Sequence, residues 1–162
     1  MENKVYELLD KLKIEYSKVE HPPVFTVKDS EKYNIKLNSL ICKNLFITNS
    51  KKSKYYVVVL PLEKRINLKS LQIVLNATRL SFGDEKLLEE KLGIKKGSVS
   101  IFNIINIKIT DVIFLLDKDI LQYEKVGFHP NINTETIIFN PKYIAKILEN
   151  YNAKYMFFWL NK

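Results

Sequence analysis

Val5, Leu8, Leu9 and Leu12 recur at the spacing of one helical face, which predicts an amphipathic helix over residues 2–13. His21-Pro22-Pro23 blocks its continuation, because the residue before a proline is driven away from helical angles. A short helix over 29–35 is expected next. Residues 44–49 and 54–60 read as a hairpin around Ser50-Lys51-Lys52-Ser53, and the second arm, β-branched and aromatic, suits a central strand. Asn67 is placed to cap a helix that buries Leu68, Leu71, Val74 and Leu75. Leu80-Ser81-Phe82 is strand-like, and Asp84 opens a helix that Gly93 stops. Strands are predicted near 100–103, 112–116, 135–139 and 155–160. Asn140-Pro141 starts a helix with cap and first-turn proline in the usual order. Strands and helices mix without strict βαβ alternation, so the expected class is α+β: one domain over 1–162 with a mixed, mostly antiparallel sheet flanked by helices.

Composition narrows the class. At 162 residues the chain is long enough to bury a real core, and 46% hydrophobic residues with four glycines and five prolines exclude a disordered or fibrous chain. No apolar run approaches the roughly 18 residues of a membrane span. The first residues enter a helical pattern, not a signal peptide. A lone Cys42 makes no internal disulfide and fits a reducing compartment, so a cytoplasmic protein without membrane contact is expected.

The 26 Lys and Arg residues against 18 Asp and Glu give a net charge of +8, a field that attracts polyanions. Arginine stands only at Arg65 and Arg79. Lysine neutralises phosphate as a point charge and lacks the planar fork that reads bases, so any nucleic acid is expected to be held by its backbone. Lys, Asn and Ile enrichment from an AT-rich genome is an equally available source of that charge.

Three clusters combine reactive or polar groups with a backbone constraint at strand–loop edges: Lys43-Asn44, Gly97-Ser98-Val99-Ser100, and Gly127-Phe128-His129-Pro130-Asn131. Lys43 is either a cation for a phosphate or carbonyl oxygen, or a solvated lysine at a strand start. The glycine loop either offers backbone N–H groups to a developing oxyanion or is an ordinary turn. His129 exchanges protons near neutral pH, with Pro130 fixing the chain direction after it. Ser98 or Ser100 with His129 as base would make a nucleophilic pair, but the strained Gly-x-Ser-x-Gly elbow is missing. Cys42 with two distant histidines makes no zinc site, and Asp111, Asp117 and Asp119 lack calcium-loop spacing.

In order and interval these clusters resemble the YbaK/ProX family of aminoacyl-tRNA deacylases over nearly the whole chain. The histidine-proline loop is most similar to the prolyl-tRNA-editing branch, ProXp-ala or PrdX. Ile101 stands where the family's Gly-Ser-Val-Ser-Pro pattern has proline. The resemblance implies a free-standing hydrolase acting on alanine mischarged to tRNA(Pro). Lys43 would then anchor the terminal adenosine with support from Asn44, and Gly97, Ser98, Val99 and Ser100 would polarise the ester. His129, beside Asn131, would either position the amino acid and ribose or relay a proton, and the resemblance favours positioning. Val24, Phe25, Thr26 and Val27, after the first helix, and Phe128 would wall the amino-acid pocket. Water is the implied nucleophile, without metal or organic cofactor. Aminoacylated tRNA is the implied partner, with prolyl-tRNA synthetase as a second candidate. A deacylase for tRNA mischarged with cysteine or serine, a catalytically silent tRNA-binding module, and a general nucleic-acid binder are the alternatives.

Overall fold

The computed structural model describes residues 2–23, 28, 39–95, 97–107 and 112–159. Its elements run α1 (Glu2–Lys11), β1 (Tyr16–Glu20), β2 (Leu40–Asn49), β3 (Tyr55–Pro61), α2 (Leu68–Leu75), β4 (Leu80–Phe82) and α3 (Glu85–Leu92). A 3₁₀ turn (Ile101–Ile105) follows, then β5 (Val112–Asp117), a second 3₁₀ turn (Lys118–Gln122), β6 (Val126–Phe128) and β7 (Glu135–Phe139). A third 3₁₀ turn (Pro141–Tyr143) leads into α4 (Ile144–Glu149), and β8 (Lys154–Phe158) comes last. Among these residues no helix is long and apolar enough to cross a membrane.

The strands form one sheet in the order β1-β7-β6-β2-β3-β5-β8, with β4 added beside the end of β2. Four of the seven described pairings are antiparallel; β2–β6, β3–β5 and β5–β8 are parallel. This is the α+β, mixed sheet the sequence predicts. The central arm β3 is buried along its whole length because both faces are covered. Tyr55, Val57 and Val59 pack into the larger core with α1, the Ile101–Ile105 turn and α4. Tyr56, Val58 and Leu60 pack on the other face with Leu71 of α2 and Leu80 of β4.

Local chemistry sets the helix ends as expected. Asn67 accepts a bond from the Ser70 N–H, and Asp84 accepts one from Leu87 at 2.8 Å. Gly93 closes α3 at φ +65. Asn140 caps the Pro141 turn, which is 3₁₀ before it becomes α4.

Two expectations are corrected. The apolar run at 100–103 is not a strand: Ser100 caps a 3₁₀ turn whose Ile101, Phe102 and Ile104 are all buried. A continuously apolar run carries no periodicity to separate the two conformations. In α2, Val74 is 54% exposed, because the helix is rotated to bury Leu71 with Leu68 and Leu75 at its side, leaving position 74 on the outer flank. The predicted helix over 29–35 and Val24, Phe25, Thr26 and Val27 lie outside the described residues.

Candidate active site at the divergence of two parallel strands

Alternation along β2 fixes where each candidate points. Cys42 and Phe46 belong to the larger core, whereas Ile41 and Ile47 belong to clusters on the opposite face. Lys43 therefore shares the second face with Ile41, and Asn44 turns toward the core side. The β2–β6 pairing is parallel and ends at Ile41 opposite Gly127. Lys43 lies two residues further along β2, and His129 follows β6 at the same offset from Gly127. Gly127 is what allows the strands this close: a Cβ there would lie 2.8 Å from Thr136 Cγ2 and 3.5 Å from Ile41 Cδ1.

Beyond Ile41 no strand among the described residues pairs with the β2 edge until β4 joins at Ile47. Leu62 N–H donates to the Ile41 carbonyl and Asn49 N–H to the Lys54 carbonyl, which turns the odd residues toward β3. The even ones face the opposite edge, as the bond from Gly83 N–H to the Phe46 carbonyl shows. The backbone of Asn44 thus faces the gap. Its side chain donates to the Cys42 carbonyl at 3.3 Å, and its Oδ1 is buried with no partner among the described residues. Lys43 and Asn44 flank this edge from its two faces.

Lys43 Nζ donates to the Lys64 carbonyl. Lys64 in turn bridges the buried Asp117 at 2.7 Å and Asp119 at 2.5 Å. Burial opposes the Lys64 charge, but these two carboxylates outweigh it and hold the pKa above its usual value. Cys42, buried and facing the Asp117 charge, has its thiol pushed far up and stays protonated.

The His129 ring is fixed by Nδ1, 2.9 Å from the Glu135 carbonyl. A carbonyl only accepts, so Nδ1 carries the proton and Nε2 is left as an acceptor. Burial lowers the His129 pKa below 6.5, the Glu135 bond works against that shift, and the nearby His21 adds to it. The two imidazoles lie 5.7 Å apart. His21 is held the same way, with Nδ1 2.9 Å from the Pro22 carbonyl and Nε2 2.7 Å from Thr136 Oγ1.

This titration has a defined sign. The unfolded chain protonates His129 near 6.5 while the folded chain resists until a lower pH. The stability it contributes is complete above 6.5 and is lost as pH falls from there toward the folded value. Denaturant titrations at stepped pH are expected to show wild type losing more stability than His129→Gln across that window; parallel curves would refute the assignment.

The glycine loop is joined to the histidine loop by a buried polar network. Ser100 Oγ donates to the His129 carbonyl at 2.8 Å and accepts from Phe102 N–H at 3.0 Å. Asn103 Oδ1 accepts the Ser100 N–H at 2.8 Å, while its amide donates to the Ser98 carbonyl at 3.1 Å and to Asn131 Oδ1 at 2.6 Å. Asn131 sits at φ +67, a left-handed conformation that asparagine tolerates, and donates to the Phe102 carbonyl at 3.2 Å. Ser98, Ser100, Asn103 and Asn131 are all buried. The cap between Ser100 and Asn103 gives the turn at Ile101 a constraint where proline is absent.

These bonds revise several expected roles. Ser98 N–H is committed to the Lys95 carbonyl at 3.2 Å, and Ser100 N–H to Asn103, so neither is available to an oxyanion. Gly97 sits at φ +90, and neither its N–H nor that of Val99 has a backbone partner among the described residues. No serine reaches the His129 imidazole among the described residues, so a serine–histidine nucleophile pair does not form. Phe128 is 2% exposed and packs against Phe102 and Phe139, on the core side of β6 opposite to His129. It is no wall of the cleft. Asn103, which ties the two loops together, escaped sequence reading, although Ser100-x-x-Asn103 has capping-box spacing.

The chain is similar to several known proteins. Residues 21–147 match the family model described as the aminoacyl-tRNA editing domain. The chain is 37% identical over 141 residues to the prolyl-tRNA editing protein ProX of Acetoanaerobium sticklandii, covering 87% of this chain and 86% of that protein. It is 34% identical to the prolyl-tRNA synthetase associated domain-containing protein 1 of Mus musculus, covering 83% and 81%. A crystal structure described as a candidate trans-editing enzyme for prolyl-tRNA synthetase superposes with a TM-score of 0.72 at 18% identity, covering 99% of this chain and 96% of that one. That last likeness bears on the fold alone.

Proposed function

This chain belongs to the aminoacyl-tRNA editing domain family, and from that premise we propose that it is a trans-acting cytoplasmic deacylase that clears alanine from tRNA(Pro). The observation that supports this most is the parallel pairing of β2 with β6, which carries Lys43 and His129 away from the Ile41–Gly127 pair, with the glycine loop bonded to the histidine loop. The ammonium of Lys43 holds the terminal adenosine's phosphate or ribose, and Asn44 meets the nucleotide from the strand edge. The N–H groups of Gly97 and Val99 face the ester carbonyl, where negative charge develops. Neutral His129 offers Nε2 as an acceptor to the amino acid's ammonium or to the ribose hydroxyl.

Water adds to the ester carbonyl and passes its proton to the ribose oxygen; collapse then releases alanine and the terminal hydroxyl. The ester is already labile, so positioning and oxyanion stabilisation supply most of the acceleration. Each missing methylene costs only about 1–3 kcal/mol in an apolar pocket, so a synthetase pocket built for proline rejects smaller alanine incompletely and a second hydrolytic site is needed.

The test compares loss of alanine and of proline from tRNA(Pro), with wild type and Lys43→Ala side by side. Alanine alone is expected to leave quickly. The variant, which removes one charge-assisted contact of about 1.5–3 kcal/mol, is expected to lose roughly 10- to 150-fold in kcat/KM. Hydrolysis of neither ester, with tRNA binding retained, would replace this reading with a silent binding module.

A further inference from the structure

The site accounts for the aminoacylated end of the substrate; the strand leading to it is a polyanion that must cross the protein surface. Lys43 Nζ donates to the Lys64 carbonyl, so the site runs directly into the segment before α2. There a groove of about 830 Å³ is lined by Lys64, Arg65, Asn67, Leu68, Lys69 and Ser70, with no carboxylate in its wall among the described residues. Asp117 and Asp119 pin Lys64, making it a fixed post whose carbonyl receives Lys43. Arg65 and Lys69 are exposed, and Arg65 is one of only two arginines in the chain.

A second groove, of about 520 Å³, has mixed sign. It sets Glu15 and Glu124 against Lys125 and Lys142 near the other end of β7. A polyanion gains little there.

We propose that the 3′ strand of the tRNA runs through the groove over residues 64–70, its phosphates held by Arg65 and Lys69 and its terminal ribose delivered to Lys43. The inference rests on the deacylase reading and adds the path of the substrate. A guanidinium grips a phosphate through two parallel N–H bonds and an ammonium adds a point charge. Neither reads sequence, so this surface supplies affinity and register while the cleft supplies selectivity.

The experiment measures two substrates with Arg65→Ala/Lys69→Ala: alanyl-tRNA(Pro), and 2′(3′)-O-alanyladenosine, which carries no phosphate to reach the groove. The double variant is expected to lose about 10- to 100-fold in kcat/KM on the tRNA through KM, with the salt slope reduced by about two. Its rate on alanyladenosine is expected to match wild type. A matched pair at the far end of the β2–β3 hairpin, Lys51→Ala/Lys54→Ala, is expected to change neither substrate. Equal activity of the groove variant and wild type on tRNA, or equal losses on both substrates, would overturn the groove. If wild type hydrolyses neither substrate, the deacylase reading falls by itself. Binding of uncharged tRNA then decides the groove: a weakened Kd in the double variant retains it, and an unchanged Kd removes it.

Discussion

Phe128→Ala is expected to destabilise the protein by about 3–5 kcal/mol while leaving its choice of aminoacyl group unchanged. Adjacency to His129 in sequence suggests a pocket wall, but successive residues of a strand face opposite sides. The Phe128 ring lies with Phe102 at 6.5 Å and Phe139 at 5.9 Å, and Phe102 and Phe139 are 6.0 Å apart. Truncation opens a cavity in the middle of three rings, removing both transfer free energy and edge-to-face contact. Urea titration gives the stability, and deacylation of alanine and larger aminoacyl esters gives the selectivity. Undiminished stability together with faster release of larger groups would put the ring back in the pocket.

The second large effect is expected at Asn103. Asn103→Ala strips partners from the Ser98 carbonyl, Asn131 Oδ1 and the Ser100 N–H in one step, all of them in buried surroundings. An unsatisfied buried group costs about 1–3 kcal/mol, and with partial relaxation the expected loss is about 3 kcal/mol. The consequence for activity is separate. On the proposed reading Asn103 is a positioning residue, which ties Ser98 and Ser100 of the glycine loop to Asn131 of the histidine loop. The kcat of the fully folded variant, measured well below its unfolding transition, is therefore expected to fall. A variant that melts earlier but keeps wild-type kcat would reduce Asn103 to a structural role.

The candidate site was legible in part. The histidine loop and the glycine loop are bonded to each other through Ser100, Asn103 and Asn131, and Ser98, Ser100 and Asn131 serve chiefly to lock the loops. The reason is that a serine or asparagine beside a glycine reads alike in sequence whether it faces a ligand or a neighbouring carbonyl. β1 and β6 escaped the pattern for another reason. Tyr16–Glu20 is an edge strand with mostly exposed side chains, and Val126–Phe128 is three residues long with a glycine at its centre. Neither shows an alternation strong enough to register.

By itself the sequence determined what short-range forces decide. Caps at Asn67, Asp84 and Asn140, the stop at Gly93, the β-branched arm of β3 and the face of α1 each act within a few residues, and each stands where it was expected. Only the tertiary structure decided which distant segments meet. The parallel pairing of Ile41 with Gly127 sets β2 beside β6, and Phe128 is turned inward. The bonds of Asn103 engage the Ser100 N–H and tie the glycine loop to Asn131. Strand register and buried hydrogen bonding depend on partners remote in the chain, and a one-residue change in pairing would send every one of these side chains to the opposite face.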